Sequence, residues 1–457
     1  MKARTVVFIF FISRLLFFLA GVRFDISPMQ WFWQFVDPLL LKTRLRESLF
    51  YLHGQPPGFN LLVGIGLKLF PHNYHLVFNA LFILIGLAIA ISFYYLLRQL
   101  KISDRLSLVL VILFTINPAT ILTENLFFYD YPVILFLILA AIFLLKFCQN
   151  KHLINAFVFF FFLSLLVLTR SMFHLVWFLL IMVWLIGHYQ KDRNKIMTAA
   201  IIPLFLVFFL YIKNFIIVHQ FSANSWMGMG FAKLTLRAYS KDKIKKLVSE
   251  GKISRLSLID PFSPLDKYPL EFQKSAKTGI KLLDQARKST GFINFNDLRY
   301  VRISNLYLKD SIVLIASNPN GYLRKLVDVY ANYSYPASDI HLVKENAKSI
   351  KLYEGLYNLI VYGGGLYVVF GFPLFIYFSL KYVFQNKIKS PKKTVFMFMF
   401  FVVMYVFIIG NLFEIDENHR YRFITEPFIL AMIGVMVEGR KRAPQKIALD
   451  KNKRHLL

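Results

Sequence analysis

Apolar residues fall along this chain in long blocks, broken by short polar stretches, with no sustained strand alternation. Blocks long enough to cross a bilayer run over Thr5–Gly21, Tyr74–Leu97, Leu106–Leu122, Tyr131–Phe147, Leu153–Leu168, Phe173–Gly187, Met197–Val218, Leu356–Leu380, Thr394–Asn411 and Ile424–Val437. They predict an all-α polytopic membrane protein with about ten transmembrane helices. Threaded from a cytoplasmic N-terminus, they put Arg98/Lys101/Arg105, Lys146/Lys151, Lys191/Arg193/Lys195, the Lys381–Lys393 lysines and the Arg440–Arg454 tail in the cytoplasm, as the positive-inside rule requires. Gly58–Phe70 is too short to span, opens on Pro-Pro-Gly and closes at Pro71, so it reads as a juxtamembrane helix along the outer face.

Between the seventh and eighth blocks lies a polar segment, His219–Tyr353, of roughly 130 residues, long enough for a small extracytoplasmic domain. Within it Lys241–Glu250 and Phe272–Lys288 read as helices, and Asp260–Pro264 and Asn318–Gly321 as turns. The chain divides into 1–218, a membrane module with the candidate outer loops; 219–353, the outer domain; 354–437, C-terminal spans; and 438–457, a basic cytoplasmic tail.

Composition narrows the class. With 57% hydrophobic and only 17% charged residues, the chain is too apolar for a soluble protein of its length. Its net charge of +29 does not point to nucleic acid, because the basic residues sit beside apolar blocks and in the tail. The single cysteine, Cys148, excludes an internal disulfide. The N-terminus has the basic start of a secretory signal, but Arg14 interrupts its apolar run and no small-residue cleavage site follows, so it reads as a retained helix.

Chemistry concentrates in the outer loops. Asp25 follows the first helix closely, in a loop with Trp31 and Trp33; Asp37, before Pro38, competes with it as an acid and equally suits a helix cap. His53 and Gln55 precede the rigid Pro56-Pro57 pair. The second loop carries Glu124 and Asn125 among apolar residues, then Tyr129 and Asp130, the last read as a cap for the next helix, which has Pro132 near its start. Arg170 and His174 lie at the mouth of the fifth and sixth blocks, and the last loop packs Glu417, Asn418, Arg420 and Arg422 before Pro427. If that loop is extended, Arg420 and Arg422 face one way, and paired guanidinium forks suit a phosphate. Carboxylates to deprotonate an acceptor and arginines to hold an anionic leaving group suit transfer of a group from a lipid phosphate. No phosphate-binding glycine loop, metal-type cluster or nucleophile elbow appears.

In their order, an acid after the first helix, His53 and Gln55 with Pro56-Pro57 opening a juxtamembrane helix, an acid in the second loop, and the Glu417–Arg422 turn before Pro427, these motifs resemble the membrane-embedded GT-C glycosyltransferases. The nearest branch is that of bacterial protein O-mannosyltransferases and lipid A aminoarabinose transferases. The resemblance covers roughly the first 220 and last 100 residues, and each motif is weak alone. It implies a GT-C architecture with outer juxtamembrane helices and a mixed extracytoplasmic domain, in a bacterial inner membrane. It also implies a polyprenyl-phosphate-linked sugar donor and a lipid, glycan or protein acceptor. Asp25 would be the base, with Asp37 its competitor, and Glu124 would orient acceptor or donor sugar. Arg170, Arg420 and Arg422 would lie near the donor phosphate and His53 near the cavity floor, with Gln55, Asn125, Tyr129, Glu417 and Asn418 contacting substrate. The family's adjacent pair of acids in the first loop is absent. A divalent metal is compatible with this chemistry and not required by it. The rival is a transporter or flippase of a lipid-linked or anionic substrate, which would carry polar residues or broken helices near the bilayer midplane.

Overall fold

The computed structural model describes residues 2–274, 276–338, 343–363, 366, 370–385, 390–416 and 418–439. They are helical, with no strand among them beyond two isolated bridges, Asp25 to Leu126 and Arg287 to Ile293. The mixed domain expected over 219–353 is therefore corrected to a helical one. Helix α1 (Lys2–Leu19) leads into three short helices, Pro28–Trp31, Pro38–Thr43 and Leu45–Tyr51. Then come α2 (Gly58–Leu69), α3 (Tyr74–Gln99), α4 (Asp104–Thr115), α5 (Pro118–Glu124), α6 (Asp130–Asn150), α7 (Leu153–Thr169), α8 (Leu175–His188) and α9 (Arg193–Val218). The polar segment holds α10 (Met227–Leu236), α11 (Arg299–Ser317), α12 (Pro319–Ser334) and the start of α13 (Lys351–Tyr362). The chain continues through α14 (Phe372–Gln385), α15 (Pro391–Phe413), α16 (Asn418–Phe423) and a final helix over 426–439.

Among the described residues four helices, α3, α6, α9 and α15, are long and apolar enough to cross a membrane, and α4 with α5 would make a fifth. That pair, read from the sequence as one span over Leu106–Leu122, bends by 56°. The cause is local: Asn117 Oδ1 accepts from Ala119 N at 2.9 Å, capping α5, and Pro118 has no N–H to continue α4. Helices α7 and α8, at 17 and 14 residues, match two further predicted blocks but are shorter than the four long apolar helices. The Leu356–Leu380 block falls across α13 and α14, with 364, 365 and 367–369 outside the described residues. The tail from Arg440 also lies outside them.

Helix α6 runs through the middle, against α3, α7 and α15; α7 also packs on α9, which carries α8. The first loop is held by an aromatic cluster that includes Phe35, Phe59, Phe78 and Phe127, with Phe78 and Phe127 stacked at 4.4 Å. In the polar segment α10 and α11 touch so closely that a Cβ on Gly228 would lie 1.8 Å from the Ser304 carbonyl oxygen. Helix Lys241–Ser249 forms as expected, whereas Phe272–Lys288 does not. Asp284 accepts from Thr278 N at 3.0 Å and Gly279 N at 2.8 Å, and Gly279 takes φ +79°, so that stretch closes into a turn with only short helices beside it.

This segment docks on the first loop. His53 bonds Ser225 Oγ at 2.7 Å and the Asn296 carbonyl at 2.9 Å, and Asn296 Oδ1 accepts from Gly54 N at 3.1 Å. Trp226 lies close enough to Gly54 that a Cβ there would come within 2.3 Å of its ring. Lys288 Nζ donates to the Phe32 carbonyl at 2.8 Å, and Asp37 accepts from Ser289 N at 2.7 Å.

Candidate functional site

Helix α6 begins at Asp130 and α7 ends before Arg170, whose extended backbone turns its side chain back toward that beginning. There Arg170 Nη1 donates to Asp130 Oδ1, while Arg420 Nε lies 3.0 Å from Asp130 Oδ2. All three side chains are 2–3% exposed. Each guanidinium also rests on rings: Arg170 at 4.8 Å from the Tyr421 centroid and 5.4 Å from Tyr129, Arg420 at 5.1 Å from Phe128. One carboxylate thus bridges two guanidiniums in this wall, and guanidinium forks are groups that suit an anionic ligand.

Arg170, Arg420, Tyr129 and Tyr421 form one wall of a cavity of about 490 Å³. Gln34, Gln55 and Trp33 line it from the first loop, Trp226, Lys233 and Phe262 from the polar segment, and Val176, Tyr211, Phe413 and Glu414 from the bundle. Lys233 Nζ bonds Glu414 Oε1 at 2.7 Å, and His174 at the rim bonds the Tyr405 hydroxyl at 2.8 Å. Both membrane helices and polar segment therefore build one chamber, with a cationic wall on the bundle side.

The expectation that Arg420 and Arg422 face one way is corrected. They lie on α16, where a separation of two residues turns a side chain through about 200°. Arg422 points away from the cavity, donating to the Tyr333 carbonyl at 2.9 Å and to Glu426 Oε1 at 3.3 Å. Glu426 Oε2 in turn accepts from Asn117 Nδ2 at 3.1 Å, fastening α16 to the bend between α4 and α5.

Glu124 is also away from the cavity. Arg14 Nε and Nη2 donate to its two oxygens at 2.9 and 2.6 Å, and the Tyr131 hydroxyl adds a bond of 2.5 Å. Arg14, unexplained as a charge in the first apolar block, is the partner that lets Glu124 be buried. Asp25 is half-buried, pairs its backbone with Asn125 and Phe127, and accepts from Ser27 N at 2.8 Å; it does not line the cavity. Asp37 is the cap of Pro38–Thr43, accepting from Leu39 N at 2.9 Å, and anchors Ser289. His53 is a docking residue and not a cavity floor; burial, reinforced by nearby Lys213, lowers its pKa to about 4. Burial likewise lowers Lys288 to about 7, against the pull of Asp37. Asn125 bonds the Ile121 carbonyl at 2.9 Å and Asn418 the Gly410 carbonyl at 3.0 Å, so both serve local structure. Glu417 lies outside the described residues.

Of the sequence candidates, then, Arg170, Arg420, Gln55 and Tyr129 meet at one cavity. Sequence reasoning passed over Asp130, taken for a cap, and Lys233, Glu414 and Phe262. The available signal for Asp130 was its place in an apolar loop, where a carboxylate needs a cation. Among the described residues no group of three or more His, Cys, Asp or Glu side chains is placed to hold a metal. The chain matches no family model, no curated protein and no solved structure in the comparisons made.

Proposed function

We propose that the chain is a GT-C-type glycosyltransferase of about ten spans, which moves a sugar from a polyprenyl-phosphate donor to an acceptor at the outer face of a bacterial inner membrane, with both termini cytoplasmic. The observation that carries this reading is the Arg170–Asp130–Arg420 cluster in the wall of a cavity next to apolar spans. A lipid phosphate supplies the negative charge that wall favours, and its isoprenoid tail suits the neighbouring hydrocarbon.

In the reaction an acceptor oxygen attacks the anomeric carbon as the carbon–oxygen bond to phosphate breaks. The leaving electron pair goes to the phosphate, whose charge Arg170 and Arg420 offset, and the acceptor proton goes to a carboxylate. Glu414 lines the cavity and is assigned that role ahead of Asp25, because a base must come within hydrogen-bond reach of the acceptor. Its ion pair with Lys233, at 2.7 Å, holds the carboxylate in the cavity wall.

The test is release of polyprenyl phosphate from radiolabelled polyprenyl-phosphate sugars by purified protein in detergent. The parent should turn over at least one donor, and Arg420→Ala should lower kcat by about 10²-fold, the usual cost of removing a donor to a developing oxyanion. No release with any donor, from protein shown to be folded, sinks the assignment. Two features favour the transporter reading instead: the broken α4–α5 pair and the buried Arg14–Glu124 ion pair. Uptake of the donor lipid into the opposite leaflet of vesicles, without turnover, would support it.

A further inference from the structure

The same cavity has other lining residues of different chemistry. Gln55 is only 8% exposed, lines the cavity, and makes no side-chain hydrogen bond among the described residues. Gln34, which also lines it, has a buried Oε1 with no partner. Both backbones are fixed: Asn60 Nδ2 donates to the Gln34 carbonyl at 3.0 Å, and Gln55 sits between the Gly54–Asn296 bond and Pro56. Two positioned amides offer donors and acceptors to a ligand without charge.

Beside them stands an aromatic shelf. The Trp33 and Phe262 rings lie 4.5 Å apart, inclined by 36°. Phe262 holds φ +62°, a left-handed backbone that a bulky residue rarely adopts and that the surrounding structure must impose. The Trp226 ring meets Phe262 at 6.1 Å and is tethered by its Nε1, which donates to the Phe295 carbonyl at 2.8 Å. Unpartnered amides next to a rigid aromatic face suit a pyranose, which has hydroxyls around its edge and C–H groups on its faces.

We propose that Gln34, Gln55, Trp33 and Phe262 form the subsite for the donor sugar, so that the 219–353 segment, through Phe262, helps to set which sugar is used. The inference rests on the polyprenyl-phosphate reading: the arginine wall takes the phosphate and this shelf takes the ring attached to it.

The test is isothermal titration of the full-length protein in detergent with undecaprenyl phosphate and with its mannosyl, glucosyl and aminoarabinosyl esters. At least one ester should bind more tightly than the bare lipid. Gln55→Leu, which keeps the side-chain volume and removes the amide, should cut that preference by about three- to tenfold, the worth of one or two hydrogen bonds. Its affinity for undecaprenyl phosphate should not change, and this also shows that the variant is folded. Trp33→Ala should abolish the preference and Trp33→Phe should restore part of it. Equal affinity for all four lipids, or a preference untouched by both Gln55→Leu and Trp33→Ala, overturns the subsite while leaving the phosphate reading intact. Failure of all four lipids to bind removes the underlying reading itself.

Discussion

Glu124→Gln separates a residue that holds the scaffold from one that takes part in chemistry. In the native bundle this carboxylate receives two bonds from Arg14, at 2.9 and 2.6 Å, and one from Tyr131 at 2.5 Å. Glutamine keeps the shape but neutralises the group and turns one acceptor into a donor, facing either the guanidinium or the phenol. Arg14, only 12% exposed, is left without its counter-charge, and breaking one side of a buried pair costs about 3–5 kcal/mol, an upper figure here. Replacing both members with apolar residues of similar size is often neutral, so Arg14→Met with Glu124→Met should recover most of the loss. Apparent melting temperatures in detergent for the parent, Glu124→Gln, Arg14→Met and the Met/Met double variant give the comparison. Donor turnover, measured at a temperature where each is folded, gives the second axis. Both single variants should melt early, the double variant should melt near the parent, and turnover per folded molecule should stay within about threefold. Gly86→Ala should mimic the single variants, since its Cβ would lie 2.2 Å from Glu124 Oε2. An unchanged melting temperature combined with lost turnover in Glu124→Gln would refute the structural role and return the residue to the active site.

Other outcomes follow from the same geometry. Arg422→Ala removes bonds to the Tyr333 carbonyl and Glu426, so it should lower the melting temperature while leaving the KM for donor unchanged in the folded fraction, unlike Arg420→Ala. His53 has a folded pKa near 4 against an ordinary value of 6.5, so the unfolded chain takes the proton first. Stability should be full above about pH 6.5 and fall by about 3 kcal/mol as pH drops through 4, a slope in denaturant titrations that His53→Gln should remove. Gly54→Ala should cost about 1–3 kcal/mol by pushing Trp226 off the first loop, and limited proteolysis should then cut the 219–353 segment sooner.

Hydropathy made α3, α6, α9 and α15 legible, because a span reports itself through consecutive residues. The bend at Asn117-Pro118 was also written locally, as a cap followed by a proline, but the apolar count on either side masked it. What local sequence does not carry is pairing across distance. Arg14 and Glu124 are 110 positions apart, and neither shows that it neutralises the other. Asp130 does cap-like duty by position, yet its oxygens go to Arg170 and Arg420, which come from other helices. The alternation around Tyr421 has no direction until the backbone is known: extended, it would aim Arg420 and Arg422 together, and helical, it separates them.

The clamp at Asp130 also fixes an order of events during synthesis. Arg170 follows Asp130 by 40 positions, so this pair can close while the first half of the bundle is entering the membrane. Arg420 arrives 250 positions after Arg170, a delay of about 12–50 s at ordinary elongation rates. Until then Asp130 has Arg170 alone of the two guanidiniums that hold it in the finished bundle. The clamp is therefore completed only by the last helices to be made, so a chain cut short before them keeps the Arg170–Asp130 pair but lacks its second guanidinium.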